Sequence, residues 1–379
     1  MSALLANKPV AEQRADIALG SAAFEAAHAD HPAQIALLGT GTVGSAVLAR
    51  LRRWQGTAFG RRLLLVHVAN SRRAVGDKRG VALRAPAPGI GVAASLDAVA
   101  NAFRSRGARI VIDATASDAI AARHAEWLAQ GIHVVTACKL GQGTSLQRWR
   151  DIRNACARGG ARYGDSATVG AGLPLLRSLR ELQAGGDRIH AVAGVLSGSL
   201  AWLFDRYDGM RPFSNFVREA GAAGYTEPDP REDLSGEDVR RKLLILARSA
   251  GIELESAEVA VESLVPPKLA ALPVEAVGAA LGSLDAPLRA RHAAAYRDGG
   301  KLRHVARLDA DGDARVGLET LDAGDALLGG NGSDNRVAIW SDRYRRQPLL
   351  VQGPGAGAAI TAAALLDDVL CIARTGRPA

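Results

Sequence analysis

The sequence predicts an α/β fold in two parts: a parallel sheet covered by helices on both faces, then a second, α+β unit. Between residues 34 and about 165, short β-rich apolar runs alternate with helix-length segments, which is the rhythm of βαβ units. Those runs are apolar almost throughout rather than alternating, as strands buried on both faces require. The length of 379 residues exceeds one ordinary domain and suits two.

Taken in order, residues 1–33 carry an amphipathic helical pattern without a strand signal and end at His31-Pro32, so they read as an N-terminal extension. From Gln34 the chain reads strand, glycine turn, helix (IALLGTGTVGSAVLARL), and LLLVHVA (63–69) is the second strand. A helix is expected around 94–105, then a strand RIVIDAT (109–115) and a helix AIAARHAEWLAQG closing on Gly131, the usual C-cap residue. The strand IHVVTAC (132–138) stops at Lys139. After about residue 165 the rhythm changes to TVGAGLP (168–174), a helix, and AVAGVLSGSLAWLF (191–204). Residues 224–251 are dense in turn residues and charge and then strongly helical; short strands are expected at 301–308, 314–318 and 336–340. The tail GPGAGAAITAAALL (353–366) is a second glycine turn opening a helix.

Composition narrows the function classes. Hydrophobic residues make up 48% and charged residues 23%, enough for a sizeable core and against disorder. The net charge of +8 comes from 47 basic residues scattered among 39 acidic ones. With no basic run and no aromatic interleaving, nucleic-acid binding is not expected; the excess charge favours anionic cofactors. Cys138, Cys156 and Cys371 are an odd count without metal-ligand spacing. There is no signal-peptide core and no membrane-length apolar stretch, so a cytoplasmic protein without membrane partners is expected.

Gly39-x-Gly41-x-x-Gly44 follows the first strand and opens the first helix through Thr42 and Val43. One glycine permits the tight turn, one lets the backbone reach a pyrophosphate, and one allows close helix–strand packing. The helix N-terminus adds free N–H groups and a positive dipole end. The context makes residues 34–165 a Rossmann-type nucleotide-binding domain. At the end of the second strand, where NAD enzymes usually place an acid for the ribose 2′-hydroxyl, this chain has Asn70-Ser71-Arg72-Arg73. Arginines there suit a 2′-phosphate, so NADP is preferred, with NAD use left open; the alternative is two exposed loop arginines.

Thr115 and Lys139 end two strands, where ligands bind in open α/β sheets. In the helix after Ser235 the apolar stripe runs Val239, Leu243, Leu246, Ala247 and Ala250, with Lys242 on its edge and Asp238 one turn earlier. A lysine held by a carboxylate there could donate a proton to a developing alkoxide. The ordinary alternative is a capping box, Ser235-x-x-Asp238, with an i,i+4 ion pair. Upstream, Pro228 and Pro230 stiffen a turn carrying Glu227, Asp229, Glu232 and Asp233, suited to a substrate ammonium group or, equally, to a solvated surface.

The segment GYTEPDPREDLSGEDVRRKLLILAR resembles the homoserine dehydrogenase family nearly letter for letter, and the likeness extends through GTGTVG, NSRR, TACK, TVGAGLP, SGSLAWLF and GPGAG. It looks most like the homoserine dehydrogenase portion of bifunctional aspartokinase–homoserine dehydrogenases. The resemblance implies reversible reduction of L-aspartate 4-semialdehyde to L-homoserine with NAD(P)H, in threonine and methionine biosynthesis. It implies Lys242 as proton donor, Asp238 as the residue positioning substrate and lysine, and Glu227 on the substrate amino group. Lys139 would lie between nicotinamide and substrate, Asp233 would line the pocket, and Thr115, Gly224 and Gly357 would approach the cofactor. It further implies a homodimer, a catalytic and dimerisation domain over 166–340, and a C-terminal segment 341–379 packing back on the nucleotide-binding domain.

Two positions depart from the family pattern. Cys138 stands where Asn is frequent, with Lys139 kept. A sodium ion on the carbonyls of Val169, Ala171 and Leu173 would want a nearby acid, but the matching position is Ser166. No length remains for a C-terminal regulatory module, and no kinase domain precedes residue 34, so feedback control through either is not expected. Other readings are a different NADP-dependent amino-acid dehydrogenase, or a catalytically weak NADP-binding partner of a separate aspartokinase.

Overall fold

The computed structural model describes residues 31–86, 90–330 and 332–375; the helix expected within residues 1–33 lies almost wholly outside them. The first sheet is built from β1 (Ala33–Leu38), β2 (Leu63–Ala69), β3 (Arg73–Gly76), β4 (Val92–Ala93), β5 (Arg109–Asp113), β6 (His133–Thr136) and β7 (Tyr163–Gly164). Their spatial order is β4-β3-β2-β1-β5-β6-β7. Strands β2, β1, β5, β6 and β7 run parallel, whereas β3 and β4 form an antiparallel edge. Every residue of β1 is buried, as a run of six apolar or amide-bearing residues between two helical layers must be. The strand order reverses between β1 and β5, and ligands bind at such a switch point, outside the carboxyl ends.

The second sheet contains β8 (Ile189–Val195), β9 (Val259–Val261), β10 (Lys301–Asp309), β11 (Ala314–Leu321), β12 (Asp334–Ser341) and β13 (Leu349–Pro354), in the order β13-β12-β8-β10-β11-β9. The longer helices are α1 (Thr42–Trp54), α2 (Leu146–Gly159), α3 (Leu175–Ala184), α4 (Gly198–Arg206), α5 (Phe213–Ala222), α6 (Glu237–Ser249), α7 (Asp285–Arg297) and α8 (Ala358–Thr375). Helices α3, α4, α6 and α7 cover one face of the second sheet, burying Val192, Val337, Ile339, Ala306, Leu308, Val316 and Leu318 in one core with Leu243 and Leu246. The alternate residues Ala193, Val305, Ala338 and Trp340 belong to the opposite face, as the two-residue strand period dictates.

The terminal segment divides between the two sheets. Strand β13 pairs with β12, whereas α8 packs on α1 and β6, putting Leu365, Leu366, Val369 and Ile372 against Ile35, Leu37, Val47 and Leu51. Of the described residues after 340, β13 thus joins the second sheet and α8 the first.

Three local expectations fail. The helix expected at 94–105 is reduced to a 3₁₀ turn at Ala100–Ala102; only Val99 and Phe103 are anchored in the core, too few for an amphipathic stripe. The helix expected before Gly131 is split into Asp118–Ala121 and His124–Ala129. The capping box at Ser235 is absent: α6 starts from Gly236 at φ +78° with no side-chain cap, and the Asp238 carboxylate goes to two lysines instead.

Candidate active site

The glycine turn lies between β1 and α1, and its three glycines do different work. A Cβ on Gly39 would stand 2.6 Å from Thr115 Cγ2, and one on Gly44 would stand 1.9 Å from Gly39 O. These two positions let strand, turn and helix interlock. A Cβ on Gly41 meets nothing within 4 Å, so Gly41 is open to a ligand. Gly41 is also the N-cap of α1, which no side chain caps, leaving N–H groups of the Thr42–Gly44 turn for an anion. The residues thus fit a dinucleotide pyrophosphate.

A cavity of about 490 Å³ extends from this turn, lined by Gly39, Asn70, Ser71, Ala94, Leu96 and Thr115. Asn70 Oδ1 accepts from the backbone N–H groups of Arg72 and Arg73, both at 2.8 Å. Asn70 therefore shapes the arginine turn, and both arginines are exposed beside the cavity.

A larger cavity of about 930 Å³ runs from Thr42 and Val43 across Thr115 and Lys139 to Glu227, Asp233, Asp238 and Lys242, with Gly224 and Gly357 also on its wall. Ten sequence-predicted residues, from both halves of the chain, thus share one space. Lys242 Nζ donates to Asp238 Oδ2 at 2.9 Å and to the carbonyl of Leu196, just beyond β8, at 2.8 Å. An ammonium has three N–H donors, so one remains for a substrate. Lys139 Nζ takes the other oxygen, Asp238 Oδ1, at 3.2 Å. Burial alone would raise the Asp238 pKa, but the Lys242 and Lys139 ammonium groups hold it well below the usual carboxylate range. Asp238 is therefore ionised, and its two oxygens are shared between two lysines.

Asp233 shows the opposite behaviour. Burial raises its pKa despite hydrogen bonds from Ser199 Oγ at 2.6 Å and Glu227 N at 2.8 Å; it holds the Glu227 backbone in place. Glu227 itself is exposed to the cavity. Asp229 turns away: it caps the short helix Pro230–Leu234 and pairs with Arg231, which also binds the carbonyls of Leu269, Ala270 and Leu272. The acidic turn expected from sequence thus sends Glu227, Glu232 and Asp233 to the cavity and spends Asp229 on scaffold.

Sequence reasoning missed a buried polar network below these groups. His124 bridges Asp113 Oδ2 at 3.1 Å and Tyr163 Oη at 3.0 Å, and Asp113 Oδ1 accepts from Thr115 Oγ1 at 2.6 Å. Thr136 Oγ1 donates to Asp113 Oδ2 at 3.2 Å and accepts from Cys138 N at 2.8 Å. The network fixes both strand ends that face the cavity. His124 opens the short helix His124–Ala129 with no spacing to single it out; only the fold brings it to Asp113. Burial pushes the Cys138 thiol up to about 11, so it is no nucleophile at neutral pH.

The TVGAGLP loop carries backbone carbonyls and no acidic side chain of its own. Ala171 is the only non-glycine with positive φ among the described residues, at +49°, and Leu173 O already accepts from Leu175 N at 2.8 Å. Ser166, at the position expected to be acidic, donates Oγ–H to Asp368 Oδ1 at 2.8 Å. Among the described residues no group of three or more His, Cys, Asp or Glu could hold a metal ion.

Comparison with known proteins matches the chain in two stretches. The family model for homoserine dehydrogenase matches residues 174–370, and that for its NAD-binding domain matches residues 39–164. Bifunctional aspartokinase/homoserine dehydrogenase 2 of Escherichia coli K12 is 42% identical over 260 residues, 69% of this chain and 32% of that protein. The chain thus spans about a third of the length of that fused relative. A homoserine dehydrogenase of Emericella nidulans is 40% identical over 276 residues, covering 70% of this chain and 75% of the relative. Among solved structures, a Candida auris protein of unknown function superposes with a TM-score of 0.81 at 33% identity, covering 91% and 99% of the two chains. A hyperthermophilic archaeal homoserine dehydrogenase in complex with NADPH shares the fold, with a TM-score of 0.68 at 20% identity and coverage of 89% and 97%. Among the described residues no helix is long and apolar enough to cross a membrane. On its family matches and its relatives, the chain belongs to the homoserine dehydrogenase family of NAD(P)-dependent oxidoreductases.

Proposed function

We propose that this protein interconverts L-aspartate 4-semialdehyde and L-homoserine with NADP(H), using Lys242 as the proton donor and acceptor. The observation that carries the reading is one carboxylate, Asp238, holding two lysines from opposite halves of the chain at 2.9 and 3.2 Å in a single cavity. When bound, the dihydronicotinamide supplies the hydride. The chain's residues do the rest. Lys242 directs its remaining N–H at the carbonyl oxygen and passes it the proton as negative charge grows there. Lys139 adds positive charge on the nicotinamide side, and Asp238 keeps both amines in place. Glu227 meets the substrate ammonium, with Asp233 fixing the Glu227 backbone.

The glycine turn and α1 hold the pyrophosphate, Thr115, Gly224 and Gly357 line the cofactor's path, and Arg72 and Arg73 select the 2′-phosphate. Support for NADP comes from these exposed arginines and from the NADPH-bound archaeal relative. The open face of the second sheet bears a cleft of about 550 Å³ lined by Ala191, Ala193, Arg307, Arg315 and Trp340; we assign it to a homodimer contact, which sedimentation tests. The free thiols of Cys138 and Cys156 fit a reducing, cytoplasmic setting. Spectrophotometry with homoserine, aspartate, malate and glutamate tests the reaction: NADP reduction only with homoserine is expected, and its absence overturns the reading.

A further inference from the structure

Lys139 and Lys242 reach Asp238 from different halves of the chain, so something must hold the Lys139 loop against α6. Residues 139–144 form a closed turn, with Gly143 N donating to Lys139 O at 2.7 Å. Gly143 lies hard against α6: a Cβ there would stand 2.8 Å from Lys139 O and 2.9 Å from Arg241 O. From the same helix Arg248, only 1% exposed, sends its guanidinium into the loop. It donates to the carbonyls of Gln142 and Thr144, on either side of Gly143, the second at 2.8 Å, and also to Leu254 O at 2.8 Å.

Arg248 forms no ion pair among the described residues, yet it is almost wholly buried. Burial pulls its pKa down to about 10, so it is still cationic at neutral pH. Taking a guanidinium out of water is unfavourable, and an apolar side chain of similar volume would fill the space more cheaply. What only the rigid fork provides is a grip on two loop carbonyls at once. Asp238, Arg241 and Arg248 thus meet the Lys139 loop at three levels of one helix.

We propose that Arg248 is a positioning residue for the two-lysine site: it locks the Lys139 loop to α6, so that Lys139 and Lys242 share the Asp238 carboxylate. The proposal rests on the dehydrogenase reading, and its test has a readout that does not. The variants are Arg248→Met, Arg248→Lys and Gly143→Ala, the last wedging the same seam without touching the guanidinium. Each full-length protein is assayed for homoserine turnover, for NADPH affinity by fluorescence, and for thermal unfolding. Lys139 reactivity is read by pulsed acetylation and peptide mass spectrometry, with exposed Lys78, Lys268 and Lys301 as internal standards.

The expected result is a fall in kcat of roughly 10–100-fold, the scale of an ångström-sized misplacement, with NADPH affinity kept. Lys139 acetylation should rise severalfold while the three standards stay constant. Unchanged kcat and Lys139 reactivity in folded Arg248→Met overturns the proposal. So does a parallel loss of every readout in proportion to the unfolded fraction, which marks a purely structural role. If Arg248→Met does not fold, Arg248→Lys and Gly143→Ala decide by the same criteria. If the wild type does not turn over homoserine, the dehydrogenase reading fails, and Lys139 reactivity alone still decides the role of Arg248.

Discussion

The two ends of the long cavity recognise charge by opposite means. At the nucleotide end the glycine turn and the uncapped start of α1 offer backbone N–H groups and open space at Gly41. At the end proposed for the substrate side chains do the work: Lys139 and Lys242 are held by Asp238, and Asp233 holds the Glu227 backbone. Backbone recognition is lost when an added side chain fills the space. Side-chain recognition is lost when a group is removed. The two ends should therefore fail under different substitutions and in different kinetic constants.

Lys242→Ala should cause the largest change, lowering kcat by about 10²–10⁴-fold as expected for loss of a proton donor while leaving NADPH affinity nearly unchanged. Unchanged turnover would remove Lys242 from the chemistry. Next, replacing both Arg72 and Arg73 with Ala should weaken NADP binding by roughly 10–100-fold, the worth of charge-assisted hydrogen bonds, and leave NAD binding alone. Equal weakening of both cofactors would show that the arginines serve only the turn.

Gly41→Ala should be milder, raising the NADP dissociation constant about tenfold, one lost contact's worth, with an unchanged unfolding temperature. Gly44→Ala should instead destabilise the fold, because its Cβ would collide with Gly39 O. If the two glycine variants behave alike, the division of labour within the turn is wrong.

The smallest effect concerns acid stability. His304 is buried and its pKa is lowered to about 4 by burial and then Arg291. A folded-state pKa below the unfolded value of 6.5 means that its contribution is complete above pH 6.5 and lost as pH falls towards 4. The loss should be about 3 kcal/mol at the acid end. Denaturant unfolding of wild type and His304→Leu across that range checks it; the variant should show the flatter pH dependence.

Legibility follows the same contrast. Local chemistry was readable: the glycine spacing, the arginine turn after β2, and the i,i+4 pair of Asp238 and Lys242 need only a strand, a turn and a helix. The apolar stripe of α6 is buried as expected. Groups that act across long sequence separations were not readable. Asp113 and His124 look like an ordinary strand end and an ordinary helical residue until β5 and β7 bring Tyr163 beside them. Arg248 reads as one more charge at a helix end, and only its contacts with Gln142 and Thr144 distinguish it. Strands β3, β4 and β7 were missed because, at two to four residues, they are too short to show the apolar run that marked the others. Asp229 could not be told from its acidic neighbours by sequence; only the fold shows it capping a short helix and pairing with Arg231.

The return of α8 to the first sheet bears on how far the chain can be divided. Its buried residues, Leu365, Leu366, Val369, Leu370 and Ile372, represent on the order of 10 kcal/mol of gross apolar burial, all supplied from the last stretch of sequence. A fragment ending at residue 165 would hold every residue of the first sheet and still leave Val47, Leu51 and Ile35 uncovered. The nucleotide-binding half is thus a unit in space but not in sequence, and it can be moved, swapped or expressed alone only together with the chain's final helix.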